Sequence, residues 1–284
     1  MRQAPASTIP ITIAHSPDSD DAFMHWAIAE GRIECGPFRF EHVLSDIETL
    51  NRAAVEGRYE VTALSIHGYA HVRDRYALLG HGASMGEGYG PVVVAREPLD
   101  AAALARRTVA IPGEWTSAAL ALRLWRPGVR TVVIPFDEII DAVKARRADA
   151  GVIIHEGQLT WAAEGLHRVV DLGAWWAEAE EGLPLPLGGN AIRRDLGRER
   201  LAAVSKILRA SIAHALDHRG EALEYAERFG RGLDRAQTDR FVGMYVNSRT
   251  LDYGEDGREA VRRFLARGVA AGLVPAGPDP EFVD

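Results

Sequence analysis

Short β-branched, apolar runs alternate with amphipathic stretches through most of the first 195 residues. That alternation predicts an α/β fold with mainly parallel sheets flanked by helices. Strands are expected at residues 9–14, 38–43 and 61–64, with helices between them at 20–30, ended by Gly31, and 47–56, ended by Gly57. Four glycines between residues 82 and 90 lead into Pro91 and a strand at 92–95. A new unit begins after Glu97-Pro98. It has strands at 108–111, 131–135 and 151–154, a helix opening at Trp115, Thr116 and Ser117, and an amphipathic helix at 137–147 with Ile139, Ile140 and Val143 on one face. A proline and glycine loop at 183–189 returns the chain through residues 190–193, and everything from Asp195 onward reads as helical. Asp195 is expected to cap a helix ending near Arg219, with shorter helices at 221–229, 234–246 and 257–267. The pattern predicts two lobes. Residues 1–95 with 190–284 form the first, residues 96–189 form the second, and the helical tail packs on the first.

Composition narrows the function classes. A net charge of −7 with acids and bases intermingled argues against nucleic-acid binding. No run approaches the roughly 20 apolar residues of a membrane span, and the N-terminal stretch lacks the apolar core of an export signal, so a cytoplasmic protein is expected. Cys35 is the only cysteine, which excludes an internal disulfide or a cysteine-ligated cluster.

Candidate chemistry gathers where strands end. His155 directly follows the apolar run 151–154, which suits a strand covered on both faces. Ligands of open α/β sheets bind beyond the carboxyl ends of such strands, and an imidazole there exchanges protons near neutral pH. By itself a histidine in this position more often just caps the strand end. Ser16, Ser65, Thr116 and Ser117 stand at three other strand exits, and two lobes facing each other would gather these groups around one cleft. A hydroxyl at a helix start is usually only a cap, so their recurrence beside His155 carries the reading. The helix start at Thr116 and Ser117 favours an anion, so a ligand carboxylate is expected there. Asp18, Asp20 and Asp21 crowd the first helix start and suit ligand hydroxyls; they lack the calcium-loop spacing, and no HExxH pattern is present. Trp161, Trp175 and Trp176 read as packing rather than as stacking groups.

Six segments carry a resemblance: SPDSDDAF at 16–23, YALLGHGASMGEGYGP at 76–91, IPGEWTSA at 111–118, IIHEGQLTW from 153, GLHRVVDLGAWW from 165 and GLPLPLGGNAIRRDL from 182. Together they resemble the 1,4-dihydroxy-6-naphthoate synthases of the futalosine route to menaquinone. The similarity spans nearly the first 195 residues and weakens in the tail. It implies a two-lobed fold of the type II periplasmic-binding-protein kind, turned into a cofactor-independent lyase that acts on cyclic dehypoxanthine futalosine. It also implies His155 as proton acceptor, and Ser65, Thr116 and Ser117 as substrate contacts. The alternatives are a non-catalytic binding protein for a small organic anion, or chorismate dehydratase on the same scaffold. The chain departs from typical members at the first turn, where Asp18, Ser19, Asp20 and Ala22 replace cysteine, proline, asparagine and threonine. Ala63 and Leu64 stand where many members have lysine and valine. Losing a cation and gaining two acids changes how a charged substrate is held.

Overall fold

A computed structural model describes residues 8–284. In chain order the first lobe opens with β1 (Ile9–His15), α1 (Ser19–Ala29), β2 (Phe38–Leu44), α2 (Ile47–Val55), β3 (Val61–Ser65), α3 (Ile66–Tyr69), β4 (Tyr76–Leu79) and β5 (Ser84–Gly86). The second lobe follows with β6 (Val92–Ala95), α4 (Ala101–Leu104), β7 (Thr108–Ile111), α5 (Ser117–Trp125), β8 (Arg130–Val133), α6 (Ile139–Lys144), β9 (Ala150–Ile153), α7 (Gly157–Thr160), β10 (His167–Asp171) and α8 (Leu172–Ala179). The chain returns through β11 (Leu185–Arg193) into α9 (Arg198–Asp217), α10 (Arg219–Ala226), α11 (Arg235–Tyr245), α12 (Ser248–Leu251), α13 (Gly254–Ala270) and β12 (Phe282–Val283).

The two sheets repeat one plan. The first runs β2-β1-β3-β11-β4-β12, with β5 paired to the start of β11, and the second runs β8-β7-β9-β6-β10. In each, three strands are mutually parallel, β2-β1-β3 in the first and β8-β7-β9 in the second, and a crossing strand lies antiparallel beside the last of them. The parallel character read from sequence therefore holds at one side of each sheet, and the crossing strands make both sheets mixed.

Four expectations need correction. Strand β6, assigned to the first lobe, is bonded between β9 and β10 in the second, so the chain crosses before it, near Gly90. A Cβ at Gly90 would lie 3.0 Å from the Gly173 nitrogen, so the crossing is packed too closely for any side chain. The presumed loop at 183–189 is the first part of β11, bonded to β5 and then to β3 and β4. Its glycines serve close packing, since a Cβ at Gly189 would sit 2.2 Å from the Tyr253 hydroxyl. Asp195 accepts from Arg193 Nε at 2.6 Å instead of capping a helix, and α9 starts after Gly197, whose φ is 82°. The tail also carries β12, parallel to β4.

Helix α1 is enclosed by the tail. Phe23, Met24, Trp26 and Ala27 pack against Ile212, Ala215, Leu223 and Val242, so every residue from Ser19 to Ile28 is buried. This burial fixes the start of α1 and its acidic residues against the second lobe. A larger apolar cluster continues through both lobes, from Leu64 and Tyr69 to Ile111, Leu120, Trp176 and Phe264. No helix among the described residues is long and apolar enough to cross a membrane.

Candidate active site

Strand β9 delivers His155 to the cleft. Ile153 ends the strand, and two residues later His155 adopts φ 54°, a left-handed conformation that costs a non-glycine residue about 1–3 kcal/mol. The conformation aims the ring across the gap toward α1. His155 Nδ1 lies 3.0 Å from Asp18 Oδ2, and because a carboxylate only accepts, Nδ1 carries the proton. The Phe136 ring meets the imidazole edge-on at 4.8 Å, and the side chain stays 17% exposed while that of Asp18 is 2% exposed. Nε2 makes no hydrogen bond to a described residue and is left for a ligand.

Asp18 also caps α1, accepting from the Asp21 amide at 3.4 Å. Burial alone would raise its pKa, but the His155 charge and hydrogen bond override that and bring it down to about 2. Burial likewise opposes charge on His155, and the Asp18 carboxylate reverses the balance and raises its pKa above 6.5. The two attract as an ion pair when the ring is protonated, and the neutral ring keeps its Nδ1 proton toward Asp18 and leaves Nε2 free to accept one. Asp21, through burial and the neighbouring Asp18 charge, is pushed up to about 8 although the Ser16 amide donates to its Oδ2 at 2.8 Å. Asp20 is raised well above the carboxylate range by burial, then by the charges of Asp18 and Asp21. Burial also raises Glu156, which accepts from Ser19 Oγ across the lobes at 3.4 Å.

All five residues singled out in the sequence, Ser16, Ser65, Thr116, Ser117 and His155, line one cleft between the lobes. Their roles differ. Ser16 Oγ and Ser65 Oγ make no hydrogen bond to a described residue, while their amides are held by Asp21 and Asn51. Thr116 Oγ1 donates to the Gly113 carbonyl at 2.9 Å and caps the Ala119 amide at 3.2 Å. Ser117 Oγ donates to the Leu187 carbonyl at 2.6 Å and accepts from the His67 amide at 3.2 Å. What this helix start offers a ligand is its first-turn amides, at Ser117 and Ala118, rather than its hydroxyls.

The sequence reading did not pick out several other cleft residues. Asn190, on β11, is 2% exposed and its Nδ2 has no partner among the described residues. Tyr245 donates to Gln158 Oε1 at 2.7 Å, a bond between the tail and the second lobe. No local pattern marks Asn190 or Tyr245, because each gains its place through contacts distant in the chain. Asp20, one of the three aspartates expected to suit ligand hydroxyls, lines the same wall with an unpartnered Oδ1. Trp176 is buried away from the cleft and donates to the Pro184 carbonyl at 3.0 Å, while Trp161 packs on the second-lobe core.

Contacts across the lobes hold them shut. Trp115 of the second lobe lies between Arg52, 3.7 Å over its ring, and His71, stacked at 4.0 Å. Its amide donates to Glu48 and its carbonyl accepts from Asn51, both on α2.

Comparison with known proteins agrees with this architecture. Residues 11–270 match the family described as menaquinone biosynthesis. A Thermus thermophilus protein named 1,4-dihydroxy-6-naphtoate synthase is 44% identical, over 96% of this chain and 99% of that protein. A Streptomyces coelicolor protein of the same name is 40% identical over 95% and 96%. The crystal structure of an Archaeoglobus fulgidus protein, 46% identical, matches 93% of this chain and 98% of that one with a TM-score of 0.89. The alkanesulfonate-binding protein of Xanthomonas axonopodis pv. citri is only 13% identical, yet it covers 96% of this chain and 95% of its own at a TM-score of 0.70, which shows the periplasmic-binding-protein fold. The chain therefore belongs to the menaquinone biosynthesis family and, like its two named relatives, is an enzyme.

Proposed function

We propose that this enzyme is a cytoplasmic lyase that converts cyclic dehypoxanthine futalosine to 1,4-dihydroxy-6-naphthoate, with His155 as the general base. The observation that carries the reading is the His155–Asp18 pair at 3.0 Å, which leaves Nε2 toward the cleft. A carboxylate behind Nδ1 fixes the tautomer, orients the ring and strengthens it as a base. The naphthoate carboxylate is placed at the start of α5, where two first-turn amides and the positive helix end favour an anion. The acidic start of α1 repels that carboxylate, which orients the substrate with its hydroxyl-bearing part toward Asp20, Ser16 and Ser65. Closure of the lobes excludes water while the base removes a proton and a carbon–carbon bond breaks.

The test is direct. Purified protein is incubated with cyclic dehypoxanthine futalosine, and naphthoate formation is followed by mass spectrometry. Turnover is expected; saturable binding without product overturns the lyase reading in favour of a carrier for a small organic anion.

A further inference from the structure

Fragmentation of a carbon–carbon bond needs a proton donor as well as a base, and five protonatable side chains other than His155 lie at or beside the α1 edge of the cleft. Three are engaged. Asp21 Oδ2 is held by the Ser16 amide at 2.8 Å, Glu156 is held by Ser19 and does not line the cleft, and the Tyr245 hydroxyl donates to Gln158 at 2.7 Å. Asp18 is committed to His155. Asp20 differs from all of these: it is 8% exposed, it lines the cleft, and its Oδ1 has no hydrogen-bond partner among the described residues.

Its carboxyl is buried at the same helix start as those of Asp18 and Asp21, and all three line the cleft. Neighbouring buried carboxyl groups cannot all be ionised, because each charge disfavours the next out of water. Asp18 is held as the anion by His155, so the proton resides on Asp20; burial and the charge of Asp18 push its pKa in the same direction.

We propose that Asp20 is the general acid of the reaction, donating the proton that the departing fragment takes when the carbon–carbon bond breaks. The proposal rests on the lyase reading above. The proton removed by His155 Nε2 leaves its electron pair on the substrate, where it forms a new π bond. The carbon–carbon bond breaks, its pair leaves on the released fragment, and that carbon takes the proton of Asp20. One proton is removed and one returned, so the step needs no oxidant or reductant. The enzyme is left as His155 imidazolium and Asp20 carboxylate, and exchange with water after product release resets both.

Asp20→Asn keeps size and polarity and removes the acid. With cyclic dehypoxanthine futalosine, kcat is expected to fall about 10²- to 10⁴-fold with KM nearly unchanged, and the loss of rate at high pH expected of the wild type disappears. A kcat within threefold of the wild type, with the high-pH limb retained, overturns the proposal. The proton itself is read independently by infrared difference spectroscopy of the folded proteins. A protonated-carboxyl band that survives in Asp21→Asn at neutral pH and weakens in Asp20→Asn is expected; its complete loss in Asp21→Asn overturns the assignment even if the Asp20 variant fails to fold. If the wild type makes no naphthoate, the substrate reading fails, and the infrared result still decides whether Asp20 holds the proton.

Discussion

Asp18 belongs to the first lobe and His155 to the second, so their 3.0 Å hydrogen bond exists only while the lobes are together. The proposed base is therefore completed by closure, and an open molecule has a histidine without its carboxylate.

Asp18→Asn tests this coupling. Removing the negative neighbour lowers the His155 pKa toward or below 6.5, so the rising limb of the pH–rate profile moves to lower pH. At the same time kcat falls, by up to about 10⁴-fold, because an amide can present a donor and mis-set the tautomer. A profile that stays in place shows that Asp18 does not act through the imidazole.

His155→Asn is expected to keep the fold and lose about 10²- to 10⁴-fold in kcat. Circular dichroism checks the fold and naphthoate release checks the rate. A fully active variant removes the histidine from the mechanism.

Gly173→Ala tests the crossing between lobes. A Cβ there would stand 1.9 Å from the Tyr89 carbonyl oxygen, which is backbone and cannot swing aside. The cost is expected to reach about 3 kcal/mol, read as a lower urea midpoint with an unchanged slope.

His25 sits behind the site, 2% exposed, with neither ring nitrogen hydrogen-bonded to a described residue. Burial, then the charges of His15, His42 and His81, hold its pKa well below 6.5. Its unfolded state takes up a proton first on acidification, so stability is lost as pH falls below about 6.5. His25→Leu removes two unsatisfied polar atoms and this proton uptake. Thermal melts between about pH 7 and pH 5 should show a variant at least as stable as the wild type and less sensitive to acid.

Much of this architecture could be read from the sequence where local pattern and tertiary role coincide. The apolar run before His155 marked a covered strand because it is one, and Ser16 and Ser65 stood out because β1 and β3 end where expected. Strand β11 was hidden because Pro186 and two glycines imitate a loop, although Gly189 is there to admit the Tyr253 hydroxyl. Strand β6 was recognised, but its lobe was not, since that depends on pairing with residues 150–153. The Asp18–His155 pair was beyond local reading for the same reason: 137 positions separate the two residues. From sequence the three aspartates were a crowded helix cap, and only burial by the tail turns them into proton-handling groups.

The position of β11 bears on how this chain is made. Its residues 185–193 fill the gap between β3 and β4, which are both finished by residue 79. A growing chain emerging from the ribosome therefore holds an unclosed first sheet while all of β6 to α8 is synthesised. The second lobe, contiguous from residue 91, has every strand it needs and is the first part able to reach its final form. The halves thus mature in the reverse of their order of appearance, and the first sheet waits for the long-range pairing of β11 and then of β12.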